Sequence, residues 1–217
     1  MVSLTQIVPL VLAVSAVAYA ALAARVARST PQNPNNLMSF FLFLIAGMVA
    51  GSAFSYGATD ATMYGIGRTL SFFSAGFVPI VFYLIYREFT VGRPHVLTIV
   101  MLAIIPIATT GLALTNSYHS IIWMVTETAS GLQFSELLDH YWYRRVYAPF
   151  TYGLFGYSAI ALASRLPTMA PGHRKTLLIL LVCAVFPFSV SIANTFLGIC
   201  LLYTSPSPRD LVGNLVW

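Results

Sequence analysis

The side chains best suited to chemistry lie together in one polar and aromatic stretch of the sequence, from about Asn116 to Arg145. Carboxylates, imidazoles, indoles and guanidinium groups all occur within it. Aromatic rings and charged groups placed together hold small molecules by stacking and by charge-assisted hydrogen bonds. The candidates for sensing an unidentified small ligand are Asn116, His119, Trp123, Trp142, Arg144 and Arg145.

A second interpretation of this stretch stays open. Trp and Tyr side chains also collect at membrane–water interfaces, where Arg144 and Arg145 would meet lipid phosphates. In that case the stretch is an interfacial belt and not a ligand site.

The sequence predicts no catalytic, metal or cofactor site. No Asp, Glu, Lys or Arg lies clearly inside an apolar stretch, and the four histidines stand at the ends of such stretches or between them. Cys183 and Cys200 lack the C-x-x-C spacing of zinc or redox sites, and Cys183 is expected to be a small buried side chain.

The elements that must position the polar stretch are membrane helices. Of 217 residues, 58% are hydrophobic and 8% are charged, whereas about 25% are charged in an average soluble domain. Stretches long enough to cross a bilayer are expected at about 7–24, 37–56, 69–86, 96–114, 146–164 and 176–198. The predicted fold is an all-α, polytopic membrane helix bundle.

The basic residues predict that the N-terminus lies outside. Seven of them fall in the loops that are then on the inner side, namely Arg25, Arg28, Arg87, Arg93, Arg165, Arg174 and Lys175. Only Arg68, Arg144 and Arg145 fall outside, in agreement with the positive-inside rule. These small groups at helix ends form no stripe that would track nucleic-acid phosphates. The first apolar stretch is expected to stay as a helix, because residues 1–10 lack the basic residue of a signal peptide.

Small residues predict where helices meet. Gly47, Gly51 and Ser55 recur every four residues in the second span and form a face that a neighbouring helix can approach closely. The face serves either packing within the chain or a dimer contact. Asp60 and Arg68, in the second outer loop, are candidates for a salt bridge that acts as a gate.

Prolines predict irregular helices. Pro79, Pro106 and Pro187 each remove a backbone donor and are candidate kink positions in the third, fourth and sixth spans. Kinked helices either open a cavity or only pack irregularly.

Several of these residues resemble a known family. The resemblance covers about residues 37–199 and rests on Val78-Pro79, the stretch 86–93, Ile105-Pro106, Leu114 to His119 followed by Trp123, and Phe186-Pro187 with Asn194. These are similar to the seven-helix N-terminal sensor region of bacterial and archaeal histidine kinases.

The resemblance implies a membrane-embedded sensory input domain, 1–199, in the cytoplasmic membrane of a prokaryote. It also implies a seventh helix, a cytoplasmic output module and a homodimeric full-length protein. Residues 200–217 resemble a translated sequencing adapter, so the natural chain is expected to continue differently after about Ile199. A fragment of a small multi-pass transporter or permease is the alternative.

Overall fold

The computed structural model describes residues 4–29, 33–128, 131–136 and 140–169, with shorter pieces between 174 and 192. The chain divides into two compact units, residues 1–169 and 170–217. In the second unit the described pieces, the longest of them 177–182, are helical. Apart from residues 174–175 they lie within the predicted sixth span. Cys183, Pro187, Asn194 and the tail 200–217 lie outside the described residues.

The first unit is built mainly of helices. In chain order they are α1 (Leu4–Ser29), α2 (Asn33–Tyr56), α3 (Ala61–Thr90), α4 (Val96–Leu114), the short α5 (Asn116–His119) and α6 (Ala148–Arg165). A π-helical turn, Tyr143–Tyr147, leads into α6, and a 3₁₀ turn, Leu166–Thr168, follows it.

Four of the described helices are long and apolar enough to cross a membrane: Ile7–Arg28, Asn36–Tyr56, Ala61–Thr90 and Val96–Leu114. They overlap the first four predicted spans, and the third extends beyond its predicted bounds at both ends. The helix α6 has 18 residues, ends in Arg165 and occupies the place of the predicted fifth span.

Large apolar side chains cover the outer faces of these helices. On α4, Val100, Ile104 and Ile107 are each more than half exposed, and Val14 and Val17 are similarly exposed on α1. A water-soluble protein rarely exposes a contiguous apolar surface of this kind. The faces are suited to lipid chains.

Helix α3 contacts α2, α4 and α6. It approaches α2 very closely, since a Cβ added to Gly51 would lie 2.5 Å from the carbonyl oxygen of Gly67, and one added to Gly47 would lie 2.5 Å from Ser74 Oγ. The hydroxyl of Ser55 donates to the carbonyl of Gly51 within α2. The small-residue face of α2 therefore packs on α3 in the same chain.

Helix α3 is longer than the sequence predicted. It begins at Ala61 because Asp60 caps it, with the Asp60 carboxylate accepting a 2.8 Å hydrogen bond from Met63 N–H. It ends at Thr90, where Gly92 takes a left-handed conformation with φ 96° and donates to the carbonyl of Arg87. Arg68 consequently lies inside the helix and not in a loop.

The prediction of an all-α chain is wrong for one segment. Strands β1 (Trp123–Thr128) and β2 (Gly131–Glu136) form an antiparallel hairpin, paired from Trp123 with Glu136 to Thr128 with Gly131. Aromatic and β-branched residues in β1 favour a strand. Two residues connect the strands, a length common in hairpins.

Candidate functional site

The buried side chain of Asn116 organises the start of the polar stretch. It is 1% exposed, its Nδ2 donates to the carbonyl of Trp123 at 2.8 Å, and its Oδ1 accepts from the N–H groups of Ile122 at 2.8 Å and Trp123 at 3.3 Å. These bonds join the start of α5, two residues after the end of α4, to the start of β1. The Asn116 amide, which was predicted to sense a ligand, thus forms hydrogen bonds with buried backbone groups.

His119 stabilises the same turn. Its Nδ1 accepts a hydrogen bond from the N–H of Ile121 at 3.1 Å, and its Nε2 lies 3.0 Å from Thr115 Oγ1. Ser120, which follows, has a φ of 50°, in the left-handed region. Both ring nitrogens of His119 therefore have partners within the turn.

Trp123 lies in the core at this end of the bundle. It is 8% exposed and packs edge-on against Tyr64 of α3, with ring centroids 5.4 Å apart. Phe72, Ala113 and Tyr147 belong to the same apolar cluster. We call Trp123, the first residue of β1, the hairpin root. These contacts fix it to α3 and α4.

The end of the polar stretch is fixed to the same two helices. The indole N–H of Trp142 donates to Thr109 Oγ1 of α4 at 3.0 Å, and the Tyr147 hydroxyl donates to the Phe72 carbonyl of α3 at 3.1 Å. Thr109 in turn donates to the carbonyl of Ile105 at 2.8 Å. We call these two hydrogen bonds, Trp142–Thr109 and Tyr147–Phe72, the loop anchor.

The two candidate arginines are exposed, unlike the indoles. The guanidinium carbon of Arg145 lies 5.7 Å from the ring centre of Tyr141, in cation–π geometry. Arg144 is exposed beside it. The structure therefore does not bring all six predicted ligand-sensing residues together in one site.

Asp60 and Arg68 have different surroundings. Asp60 caps α3, as described, whereas the guanidinium of Arg68 lies over the ring of Phe72, with 5.1 Å between its central carbon and the ring centroid. Phe72 also belongs to the loop anchor. The two candidate gate residues thus have separate local contacts.

Pro79 and Pro106 are both buried within continuous helices, and Pro106 lies where α3 and α4 meet. A Cβ added to Gly76 of α3 would lie 2.9 Å from Pro106 Cβ. Glycine is needed there because the proline ring occupies the space of any side chain. The helix contact thus coincides with the point at which Pro106 removes a backbone donor.

A cleft of about 570 Å³ lies between the same two helices and under the hairpin root. We call it the α3–α4 cleft. Its lining includes Gly65, Thr69 and Phe73 of α3, Thr110 and Leu114 of α4, and Trp123. The volume falls in the range typical of small-molecule sites.

The described residues hold no cluster of three or more His, Cys, Asp or Glu side chains that would bind a metal ion. Their chemistry at this end of the bundle consists of hydrogen bonding, aromatic packing and cation–π contact. Such an arrangement is suited to binding and to transmitting a shift between helices.

The long apolar helices, their lipid-suited outer faces and the anchored polar loop define the class as a polytopic helical membrane protein. The family described as the N-terminal 7TM region of histidine kinase matches residues 9–208. The chain belongs to that family, as its resemblance at sequence level predicted. It is therefore a membrane-located sensor region, and the family covers this region and not a catalytic domain. Neither a curated protein nor a solved structure gives a match.

Sequence reasoning missed several residues of this site. Thr109, Phe72, Tyr64 and Tyr147 carry hydrogen bonds or ring contacts to the predicted stretch, but each lies inside or next to an apolar span. A helical threonine is usually satisfied by its own helix. The one available signal was the run of aromatic residues from Tyr141 to Tyr147, which sequence reasoning assigned to a belt or a ligand site.

Proposed function

We propose that this chain is the sensory input domain of a signal-transduction histidine kinase, or of an enzyme with a related output module. It couples an extracellular or membrane stimulus to a cytoplasmic module. Membership of the family supports this function. The observation that carries the proposal is the loop anchor, which ties the long polar connection to α3 and α4 at once.

The anchor suggests how a stimulus reaches the helices. Thr109 lies three residues after Pro106, whose missing N–H leaves the carbonyl of Leu102 without its helical donor. Helix α4 therefore lacks one backbone hydrogen bond at Pro106, close to the anchor. A stimulus that moves the loop would change the packing of α4 on α3 around Gly76 and Pro106.

Signalling of this kind requires two helix arrangements for which the stimulus has different affinities. Small shifts of packed helices, of about 1–2 Å, are a common form of such transitions. Trp142–Thr109 and Tyr147–Phe72 are the bonds that we expect to differ between the two arrangements.

We propose the same membrane architecture that the sequence predicted. Six spans of an expected seven cross the cytoplasmic membrane of a prokaryote, the N-terminus is outside, and the full-length protein is a homodimer that responds to a small ligand. The basic residues at the predicted inner ends support the orientation.

The first test is to sequence the natural gene beyond the codon for residue 199. We expect a seventh helix followed by a cytoplasmic output module. The full-length product, in lipid nanodiscs with labelled ATP, should then become phosphorylated on histidine. A gene that stops there, or that continues without an output module, would overturn the proposal.

The transporter alternative is separated by the same gene sequence, since a transporter would continue into further helices. A solute flux in proteoliposomes that contain the full-length product would support that alternative. Absence of flux together with autophosphorylation would exclude it.

A further inference from the structure

We infer that the π-helical turn Tyr143–Tyr147 is a conformational switch that Pro149 holds open. Closure of the turn into ordinary α-helix would move Trp142 away from Thr109 and release the end of the polar stretch from α4. The role of this switch in signalling rests on the proposed sensory function, whereas the switch itself is a property of the 217-residue chain.

The turn holds one residue more than a turn of α-helix. The N–H of Ala148 donates to the carbonyl of Tyr143, five residues back. Just before the turn, the N–H of Arg144 donates to the carbonyl of His140, four residues back, as in an ordinary α-helix. The change from four to five residues marks the place of the extra residue. Single π-helical turns of this kind are frequent at functional sites.

Pro149 accounts for the wider turn. It is the second residue of α6 and has no N–H. In an uninterrupted α-helix the carbonyl of Arg145 would therefore lack a donor, and the proline ring would clash with that carbonyl. The wider turn avoids this clash. An alanine at position 149 would supply the missing donor, so the α-helical form would become the more stable of the two.

Beyond the turn, aromatic contacts hold α6 on α3. Phe155 stacks on Phe82, with ring centroids 4.8 Å apart and an angle of 26° between the rings. Tyr157 packs edge-on against Tyr86, with ring centroids 6.2 Å apart. Because these contacts fix α6, the residues that precede the turn take up any change in it. Those residues are the end of the polar stretch.

Closure of the turn shifts the preceding residues by one position, which is about 100° around the helix axis and about 1.5 Å along it. Trp142, which is half-buried, would then take the place of Tyr141, which is 67% exposed. Its indole N–H would no longer reach Thr109. Tyr147 is the last residue of the turn and moves less, so its bond to Phe72 changes to a smaller extent.

Fluorine NMR of the 217-residue chain in lipid nanodiscs, with 5-fluorotryptophan in place of tryptophan, follows the switch. The resonance of Trp142 is assigned by its absence from the Trp142→Phe variant. Its solvent isotope shift between H2O and D2O should at least double in Pro149→Ala, because the indole becomes exposed. Trp123, which is 8% exposed, is the internal reference, and its isotope shift should not change.

A deletion distinguishes the switch from a general loss of structure. Deletion of Arg145 from the Pro149→Ala chain removes the extra residue of the turn, so the isotope shift of Trp142 should return to the wild-type value. Deletion of Arg165, the last residue of α6, removes an arginine without changing the turn and should give no such return. Gly153→Ala, at a position of α6 where an added Cβ meets no atom within 4 Å, should match the wild type.

An unchanged Trp142 resonance in Pro149→Ala would overturn the inference, because the turn would then not depend on the proline. An exposure of Trp142 that deletion of Arg145 does not reverse would also contradict it, since the substitution would then only loosen the packing. Both results come from the chain without any kinase, so they leave the sensory function to its own test.

The part of the switch in signalling is measured separately in the full-length protein. Pro149→Ala should change the rate of autophosphorylation several-fold, and the additional deletion of Arg145 should restore it. An unchanged rate, beside a Trp142 resonance that moves as expected, would contradict the role of the switch in signalling. A full-length protein without histidine phosphorylation would contradict the proposed function and not the switch.

Discussion

The indole N–H of Trp142 lies 3.0 Å from the hydroxyl oxygen of Thr109, although 33 positions separate the two residues in the sequence. Thr109 is fully buried, and its own hydroxyl donates a hydrogen bond to the carbonyl of Ile105. The end of the polar stretch is therefore hydrogen-bonded to α4 one helical turn from Pro106. This bond links the polar stretch to the contact between α3 and α4 around Gly76 and Pro106. We propose that the packing at this contact changes during signalling.

Replacement of Asn116 should destabilise the protein and not merely weaken ligand binding. Asn116→Ala removes three hydrogen bonds and leaves buried groups of Ile122 and Trp123 unsatisfied, so the free energy of unfolding should fall by about 2–3 kcal/mol. Thermal unfolding in detergent, followed by tryptophan fluorescence, measures the loss. Tyr118→Ala, at an 89% exposed position, is the control and should have no effect. An unchanged melting temperature for Asn116→Ala, with an altered response to a ligand, would favour the original ligand-sensing hypothesis.

The close contact of α2 and α3 predicts a sharp contrast between two glycines. Gly51→Val places methyl groups against the Gly67 carbonyl, which a Cβ alone would approach to 2.5 Å, and should cost about 1–3 kcal/mol. Gly111→Ala meets no atom within 4 Å and should be neutral or stabilise α4 by up to about 1 kcal/mol. The melting temperatures of the two variants in the same detergent give the comparison. Equal behaviour would contradict the packing role of Gly51.

Two variants of Asp60 separate a helix cap from a gate. Asp60→Ala removes the acceptor for Met63 N–H and should lower the free energy of unfolding by about 1 kcal/mol. Asp60→Asn keeps a capping oxygen but loses the charge, so its stability should match the wild type within about 0.5 kcal/mol. If Asp60→Asn alters kinase output in the full-length protein without a change in stability, the charge acts in a gate.

The predicted orientation is tested by cysteine labelling in intact cells, in a background with Cys183→Ser and Cys200→Ser. Tyr118→Cys should react with a membrane-impermeant maleimide, because the N-outside arrangement puts the end of α4 outside. Val91→Cys, at a 58% exposed position after α3, should react only after permeabilisation. The reverse pattern would mean that the N-terminus is inside.

The apolar blocks predicted the first four membrane helices because lipid requires long, uncharged stretches. The predicted positions of the helix ends were less accurate. The third span was predicted from residue 69, since Arg68 marked the end of its charge-free block, whereas α3 begins at Ala61. A long helix holds an arginine when aromatic rings cover its guanidinium, as Phe72 does here. The capping residue Asp60 was the better signal.

The candidate site was predicted only in its location. The polar stretch does lie at one end of α3 and α4. Its hairpin was missed because the strands are short and lie among polar, charged and aromatic residues. Asn116 and His119 were interpreted as ligand contacts because their polarity is visible in the sequence. Their hydrogen bonds with the backbone of the turn depend on the three-dimensional structure and not on local sequence. The same is true of the contact of Trp142 with Thr109.

The most direct test of the central claim is the autophosphorylation rate of the full-length protein in lipid nanodiscs, compared between Trp142→Phe and Tyr141→Phe. Trp142→Phe removes the bond to Thr109, worth about 1 kcal/mol, and should shift the balance between the two helix arrangements about fivefold. The rate should therefore change several-fold. Tyr141→Phe, next to it but 67% exposed, should leave the rate unchanged. Identical rates for both variants and the wild type would contradict a role for the loop anchor in signalling, and a full-length product without histidine phosphorylation would contradict the kinase assignment itself.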